Sequence, residues 1–169
     1  MTALAYVMAE GRGAGDRLLS AVAARLAARG VPLAGVVQHN IDRPGQARCD
    51  MDLRVLGSDQ RVRISQRLGD AARGCRLDPD GLETAVGLVE ASLPGAKLLL
   101  VNKFGKAEIE GRGFRAVIGR ALEQGVPVLL ALKPDNRDGF EAFAQGLAQP
   151  LPADEGEILA WCQETLSQV

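Results

Sequence analysis

The chain is poor in the residues from which several kinds of site are built. It has one histidine, His39, and three cysteines, Cys49, Cys75 and Cys162, which lie far apart and show no CxxC spacing. That argues against a disulfide framework and a His/Cys zinc cluster, and makes reduced thiols the expectation. Aromatic residues are only 4% of the chain, too few for the stacking platforms that hold single-stranded nucleic acid. Lysine and arginine number 20 against 21 acidic residues, for a formal net charge of -1, so the basic excess of a duplex binder is also missing. No run approaches the roughly 20 uninterrupted apolar residues that span a bilayer. The N-terminus carries no basic segment ahead of its short apolar run. A cytoplasmic protein with neither membrane insertion nor a nucleic-acid partner is the expectation.

What is present suits one α/β domain over residues 1–169, with 47% hydrophobic residues to build a core. Leu4 to Met8 reads as a short buried strand, followed by a glycine-rich turn from Glu10 to Gly15. A helix is expected from about Asp16, as its cap, to Arg29, because Leu18, Leu19, Val22, Leu26 and Ala27 recur at helical spacing. Leu33 to Val37 is a second strand, and this order starts a parallel sheet with a right-handed crossover. Met51 to Leu56 and Arg61 to Ser65 alternate around Gly57-Ser58-Asp59-Gln60, which predicts a hairpin at about 51–65 inserted between parallel units. A loop with Gly69, Gly74 and Cys75 follows. Asp78-Pro79 then supplies a cap and first-turn proline for a helix through Leu82, Val86, Val89 and Leu93. Leu98 to Val101 suits a central parallel strand. Beyond it come a helix from Phe114 to Gln124, a strand from Val126 to Leu132 ending in Lys133-Pro134-Asp135-Asn136, and helices at Phe140 to Leu147 and Glu155 to Leu166. Phe140 and Trp161 are expected in the core. The architecture is a mainly parallel sheet flanked by helices.

Two loops carry the chemistry. In Glu10-Gly11-Arg12-Gly13-Ala14-Gly15-Asp16-Arg17 a glycine turn follows a strand and opens a helix, the setting in which unpaired backbone N–H groups and the helix dipole bind anions. Against the phosphate-loop pattern GxxxxGK[ST] it fails in either register. With Gly15 as the second glycine, Asp16 replaces the lysine and Arg17 the hydroxyl residue. With Gly11 as the first, Arg17 takes the lysine's place but Asp16 displaces the second glycine and Leu18 the hydroxyl. The alternative is a tight turn before a capped helix.

The second loop, Asn102 to Arg115, has Lys103, Lys106, Arg112 and Arg115 against Glu108 and Glu110, a basic island in a near-neutral chain. These cations suit tetrahedral oxyanions through charge-assisted hydrogen bonds. A solvated loop with Lys106 paired to Glu108 or Glu110 is the bland alternative. Asn102-Lys103 stands where a phosphate-loop enzyme places the acid that holds magnesium, which puts magnesium in doubt. Gln38-His39-Asn40, after the second strand, belongs to the same sheet edge if the strands are parallel. His39 is a candidate ligand or base, although a lone loop histidine is more often only hydrogen-bonded. Cys75, beside Arg76, is either a reactive thiol or a buried structural one.

Through Asn102-Lys103-Phe104-Gly105-Lys106, Glu108, Gly111, Gly113-Phe114-Arg115, the segment Cys75-Arg76-Leu77-Asp78-Pro79 and the opening strand and glycine turn, the chain resembles a bacterial family of unknown function. Members of that family are often described as encoded near molybdate-transport genes, and its layout is similar to a degenerate P-loop nucleoside triphosphatase. The resemblance implies a P-loop-like three-layer sandwich and a molybdenum-linked role, and it supplies no catalytic residues. The leading expectation is a non-hydrolysing protein that binds a small anionic ligand, molybdate, tungstate or a nucleotide, through Gly11, Arg12, Gly13, Ala14, Gly15, Asp16, Arg17, Gln38, His39, Asn102, Lys103, Lys106, Glu108, Arg112 and Arg115, with no resident metal. Its candidate partners are a second copy of itself or a molybdate-transport component. The rival readings are a nucleoside triphosphatase or phosphotransferase in which Glu10, Asp16, Glu108 or Glu110 holds magnesium, and an interaction module that uses the hairpin or the acidic last helix.

Overall fold

A computed structural model of the protein describes residues 3–42, 49–66 and 76–168. In chain order the elements are β1 (Leu4–Met8), α1 (Ala14–Ala28), β2 (Leu33–Asp42), β3 (Cys49–Val55), β4 (Arg61–Arg63), β5 (Ser65–Gln66), β6 (Arg76–Leu77), α2 (Pro79–Ser92), β7 (Leu98–Val101), α3 (Lys106–Ile109), α4 (Arg115–Glu123), β8 (Val128–Leu132), α5 (Arg137–Ala144), β9 (Ala148–Leu151) and α6 (Glu155–Leu166). A seven-stranded sheet runs in the order β4-β3-β2-β7-β8-β1-β9. From β2 to β9 neighbouring strands are parallel, whereas β3 pairs antiparallel with β2 and β4 with β3. β5 and β6 form a separate two-stranded pair.

Period-two alternation sorts the core into two layers. Ala5 and Val7 of β1, Leu98 and Leu100 of β7, and Leu129 and Ala131 of β8 pack against α1 and α6. The intervening Leu4, Tyr6, Leu99, Val101, Val128 and Leu130 pack against α2, α4 and α5. Helices cover both faces, so β7 and β8 are buried along their whole length, which is why they read as unbroken apolar runs. α1 presents Leu19, Val22, Ala23 and Leu26 at helical spacing to one face. α2 starts as expected, with Pro79 in its first turn and the Asp78 carboxylate accepting from the Asp80 N–H at 3.1 Å.

Several expectations are corrected. Helix α1 starts at Ala14 with Gly13 as its N-cap and no side-chain cap, so Asp16 lies inside the first turn and its carboxylate is turned to another partner. The expected hairpin is present as β3 and β4, and it extends the main sheet antiparallel because β2 runs on to Asp42 and pairs with β3 from Val36↔Val55 to Asp42↔Cys49. Gln38, His39 and Asn40 are therefore strand residues rather than loop residues. Lys106–Ile109 is a short helix within the basic loop. The helix expected from Phe140 runs from Arg137 to Ala144, and the following residues add an edge strand, β9. Phe140 and Trp161 are buried as expected. Cys162 is buried too, and burial pushes its thiol up to about 12, a chemically quiet sulfur. The loop with Gly69, Gly74 and Cys75 lies outside the described residues.

One close approach ties the two halves of the sheet. Gly35 of β2 pairs with Leu100 of β7 at φ +117°, and a Cβ placed on it would lie 1.8 Å from the Leu100 carbonyl oxygen. Any side chain there pushes β2, and with it the hairpin, off the parallel core. Gly35→Ala is expected to cost roughly 3 kcal/mol or more, since overpacking and backbone strain each contribute about 1–3 kcal/mol. Urea unfolding checks this, and a loss below about 1 kcal/mol would contradict the assigned β2–β7 register.

Candidate functional site

Because β1, β2, β7 and β8 are parallel, their carboxyl ends meet at one edge of the sheet, where open α/β folds place ligands. A cavity of about 510 Å³ opens there. The turn from Gly11 through Asp16 forms one rim, Asn102 and Lys103 after β7 and Lys133 after β8 form another, and residues of the hairpin and α2 close the far wall. The turn is shaped by glycine at Gly11 and Gly13, with φ of 99° and 73°. Its Ala14 N–H donates to the Gly11 carbonyl and its Arg17 N–H to that of Gly13. The amides of Gly15 and Asp16 belong to the first helical turn, whose N–H groups have no acceptor further back in the helix. They are the natural donors for an anion at this point.

A chain of side-chain hydrogen bonds connects the rims. The Asn102 amide donates to Gln38 Oε1 at 2.8 Å, the Gln38 amide to Asn40 Oδ1 at 2.8 Å, and the Asn40 amide to Asp16 Oδ2 at 3.2 Å. Asn102 and Gln38 are almost fully buried, so their polar groups need these partners. The relay runs from β7 through β2 to α1 and sets where the glycine turn stands relative to the strand ends.

Electrostatically the cavity favours anions. Lys103 is pushed below the ordinary lysine value of 10.5, mainly by burial and in addition by Lys133, while Asp16 and Glu108 pull it back only in part. The opposite charge of an anion between Lys103 and Lys133 would favour the charged ammonium and offset both the burial and the like-charge cost. Glu108 is held differently. Its Oε1 accepts from the Gly105 N–H at 2.8 Å and its Oε2 from the Phe114 N–H at 3.1 Å. Burial pushes this carboxyl above its usual value, and the two amides and Lys103 act in the opposite direction. Gly113 is needed for this clamp, since a Cβ there, at φ +63°, would overlap Glu108 Oε2.

Residues 4–161 match the family described as protein of unknown function, DUF2478. The chain belongs to the DUF2478 family. It is also 32% identical over 155 residues to the molybdenum import ATP-binding protein ModC 2 of Bradyrhizobium diazoefficiens, covering 91% of this chain but only 17% of that protein. The crystal structure of THEP1 from the hyperthermophile Aquifex aeolicus superposes with a TM-score of 0.63 at 12% identity, over 98% of this chain and 97% of that one. The fold of this DUF2478 chain is thus the P-loop NTPase-like α/β sandwich that its sequence resembles.

Within that fold the expected site residues separate into three groups. Gly11, Arg12, Gly13, Gly15, Asp16, Gln38, Asn102, Lys103, Lys106 and Glu108 do line the cavity. Lys106 does so from an exposed position, paired with Glu110 at 3.8 Å. Arg17 and His39 line an adjoining cavity of about 400 Å³ together with Ser20, and Arg12, Gly13, Asp16, Gln38 and Asn40 line both cavities. Strand alternation turns His39 away from Gln38 and Asn40, and its Nε2 is buried with no hydrogen-bond partner among the described residues. Ala14, Arg112 and Arg115 line neither cavity. Arg112 pairs with Glu110 at 2.6 Å on the surface. Arg115 donates to the carbonyls of Glu108 and Ile109 and lies 5.2 Å from the Phe143 ring centre, so it braces α3 instead of facing a ligand. Sequence reasoning left out Lys133, although its place directly after a buried strand was the available signal. The apolar wall of Met51, Leu53, Ile64, Leu82 and Phe114 was also left out, and no local pattern distinguishes it from core.

The residues present do not fit the magnesium centre of a P-loop enzyme. Its hydroxyl is replaced by Arg17 or Leu18 and its strand-end acid by Asn102. Asp16 accepts from Asn40, and both Glu108 oxygens accept from amides. Asp50 and Asp52 stand on the opposite face of β3 from Met51 and Leu53, with Arg63 at 3.3 and 2.5 Å. Among the described residues no group of three or more His, Cys, Asp or Glu is placed to hold a metal, and no helix is long and apolar enough to cross a membrane.

The Glu108 clamp carries a prediction for stability. Glu108→Ala leaves the buried Phe114 amide and the half-buried Gly105 amide without their acceptor, at a cost of roughly 1–3 kcal/mol for each group left unpaired. A loss of unfolding free energy of that size, seen as a lower denaturation midpoint, is expected, with an altered near-ultraviolet signal from the neighbouring phenylalanines. A wild-type midpoint would show that the loop does not depend on this carboxylate.

Proposed function

We propose that this chain is a non-hydrolysing binding protein that holds an oxyanion, either a tetrahedral metal oxyanion such as molybdate or tungstate or the phosphates of a nucleotide, and serves molybdenum handling or its regulation. The observation that carries the proposal is the pairing of Lys103 with Lys133. They come from different strand ends, converge on the cavity opposite the glycine turn, and meet carboxylates that are already engaged by Asn40 or by backbone amides. In a P-loop enzyme the cation comes from the helix and an acid from the strand end. Here the strand ends supply the cations and the helix supplies an acid, which supports holding an anion rather than hydrolysing one. The molybdenum link draws support from the name of the Bradyrhizobium relative. Import and ATP binding describe that whole protein, of which the matched region is 17%. The partner in such a role is a molybdate-transport component, and the setting is the cytoplasm.

Thermal shift and calorimetry with molybdate, tungstate, sulfate, phosphate, ATP and GTP, each with and without magnesium, test the reading. A ligand at 100 times its dissociation constant is expected to stabilise the protein by about 2.7 kcal/mol, with no dependence on magnesium and no release of phosphate. Lys103→Ala is expected to weaken binding roughly ten- to hundredfold, the worth of one charge-assisted hydrogen bond, while the unliganded melting temperature is retained. Unchanged affinity would remove Lys103 from the site.

The pH dependence follows from the sign of the lysine shift. Lys103 binds an anion as the ammonium, and its value in the free protein lies below 10.5. Affinity should therefore fall as pH rises through a range below that of an ordinary lysine, with proton uptake on binding in the same range. Lys103→Arg should move the fall to higher pH. A flat profile across the alkaline range in the wild type would rule out an ammonium at this position as the anion's partner.

A further inference from the structure

The cavity is larger and less polar than a bare oxyanion needs. At about 510 Å³ it falls in the range of roughly 300–1,000 Å³ that holds organic ligands, whereas a tetrahedral oxyanion is only a centre and four oxygens. Its lining is two-sided. The glycine turn, Lys103 and Lys133 form the charged end, and Met51 and Leu53 of β3, Ile64, Leu77, Leu82 of α2 and Phe114 form an apolar end. Leu77 is 41% exposed and Met51 is half-buried, so part of this wall is apolar surface facing open space. Between the two ends run the carboxamides of Gln38, Asn40 and Asn102. The relay uses one N–H of each, and a carboxamide carries two N–H groups and two acceptor lone pairs.

We propose that the antiparallel hairpin and the start of α2 build a subsite for the organic body of the ligand, and that the ligand is a nucleoside monophosphate held by its phosphate between the glycine turn and the two lysines. This inference rests on the anion-binding reading of the same cavity and adds the class of molecule. A heteroaromatic ring is apolar on its faces and hydrogen-bonding at its edges, as this wall and the neighbouring carboxamides require. The subsite is specific to this arrangement because β2 extends past the parallel core to Asp42 and carries β3 with it. Met51 and Leu53 thereby face the cavity, while Asp50 and Asp52 are turned to the far side with Arg63.

The test compares inorganic phosphate with AMP, GMP, CMP and UMP by calorimetry on the wild type and on Met51→Gln, Leu77→Gln and Met51→Leu. At least one monophosphate is expected to bind ten times or more tightly than phosphate. Met51→Gln and Leu77→Gln should reduce that advantage severalfold without changing phosphate affinity, and Met51→Leu should preserve it. Equal affinity for phosphate and all four monophosphates, or an advantage untouched by both glutamine variants, overturns the subsite and leaves the anion reading standing. Failure of phosphate, molybdate and every monophosphate to bind overturns both. Unliganded melting temperatures identify a variant that has lost its fold, and the variant at the other position then decides.

Discussion

The hydrogen bond from Asn102 to Gln38 is the contact on which the carboxyl edge of this protein depends. It joins Asn102, directly after β7, to Gln38 inside the adjacent strand β2 at a point where both side chains are buried, and a buried amide without a partner is costly. Satisfying it fixes the Gln38 side chain, which positions Asn40, which in turn holds Asp16 in the first turn of α1. The glycine turn is thus located by a polar chain anchored on a neighbouring strand as well as by its own covalent link to β1. The β2–β7 pairing beneath it tolerates no side chain at Gly35, so strand register and relay geometry are set together.

This arrangement also redistributes charge. Asp16 takes the place of the P-loop lysine in one register and of the second glycine in the other, it accepts a hydrogen bond from Asn40, and Lys103 acts on it from the strand end. Glu108 is likewise at the cavity, and its two oxygens accept from the amides that close the loop carrying Lys103 and Lys106. A carboxylate used as a backbone clamp does for a loop what a capping residue does for a helix, satisfying amides that would otherwise be orphaned. The cationic loop is therefore pre-formed, and Lys103 is held in a partly desolvated position where its charge acts strongly.

Much of the fold was legible in the sequence. Buried runs such as Leu98 to Val101, helical spacing in α1 and α2, and the cap Asp78-Pro79 all state their structure locally. β9 was not legible, because Ala148-Gln149-Pro150-Leu151 has neither alternation nor an apolar run and becomes a strand only by lying beside β1. Asp16 shows the same limit. Its type and place suggested a cap, but a tertiary acceptor role toward Asn40 displaced that use. Arg112 and Arg115 were grouped with the site because they share its loop, yet beyond the short helix Arg112 turns to Glu110 and Arg115 to the carbonyls of Glu108 and Ile109, while Glu108 of the same loop lines the cavity.

The sequence by itself determined the layering, the glycine turn before a helix and the absence of a phosphate-loop lysine and its acid, since each rests on residue types at short spacing. Only the tertiary structure decided which charges meet. Lys133 joins Lys103 from a strand some thirty residues later, and His39 stays out of the larger cavity that Gln38 lines, because neighbouring residues on a strand face opposite sides. The apolar wall opposite the lysines comes from β3, the start of α2 and Phe114. Such convergence depends on strand order and register, which short-range patterns do not encode.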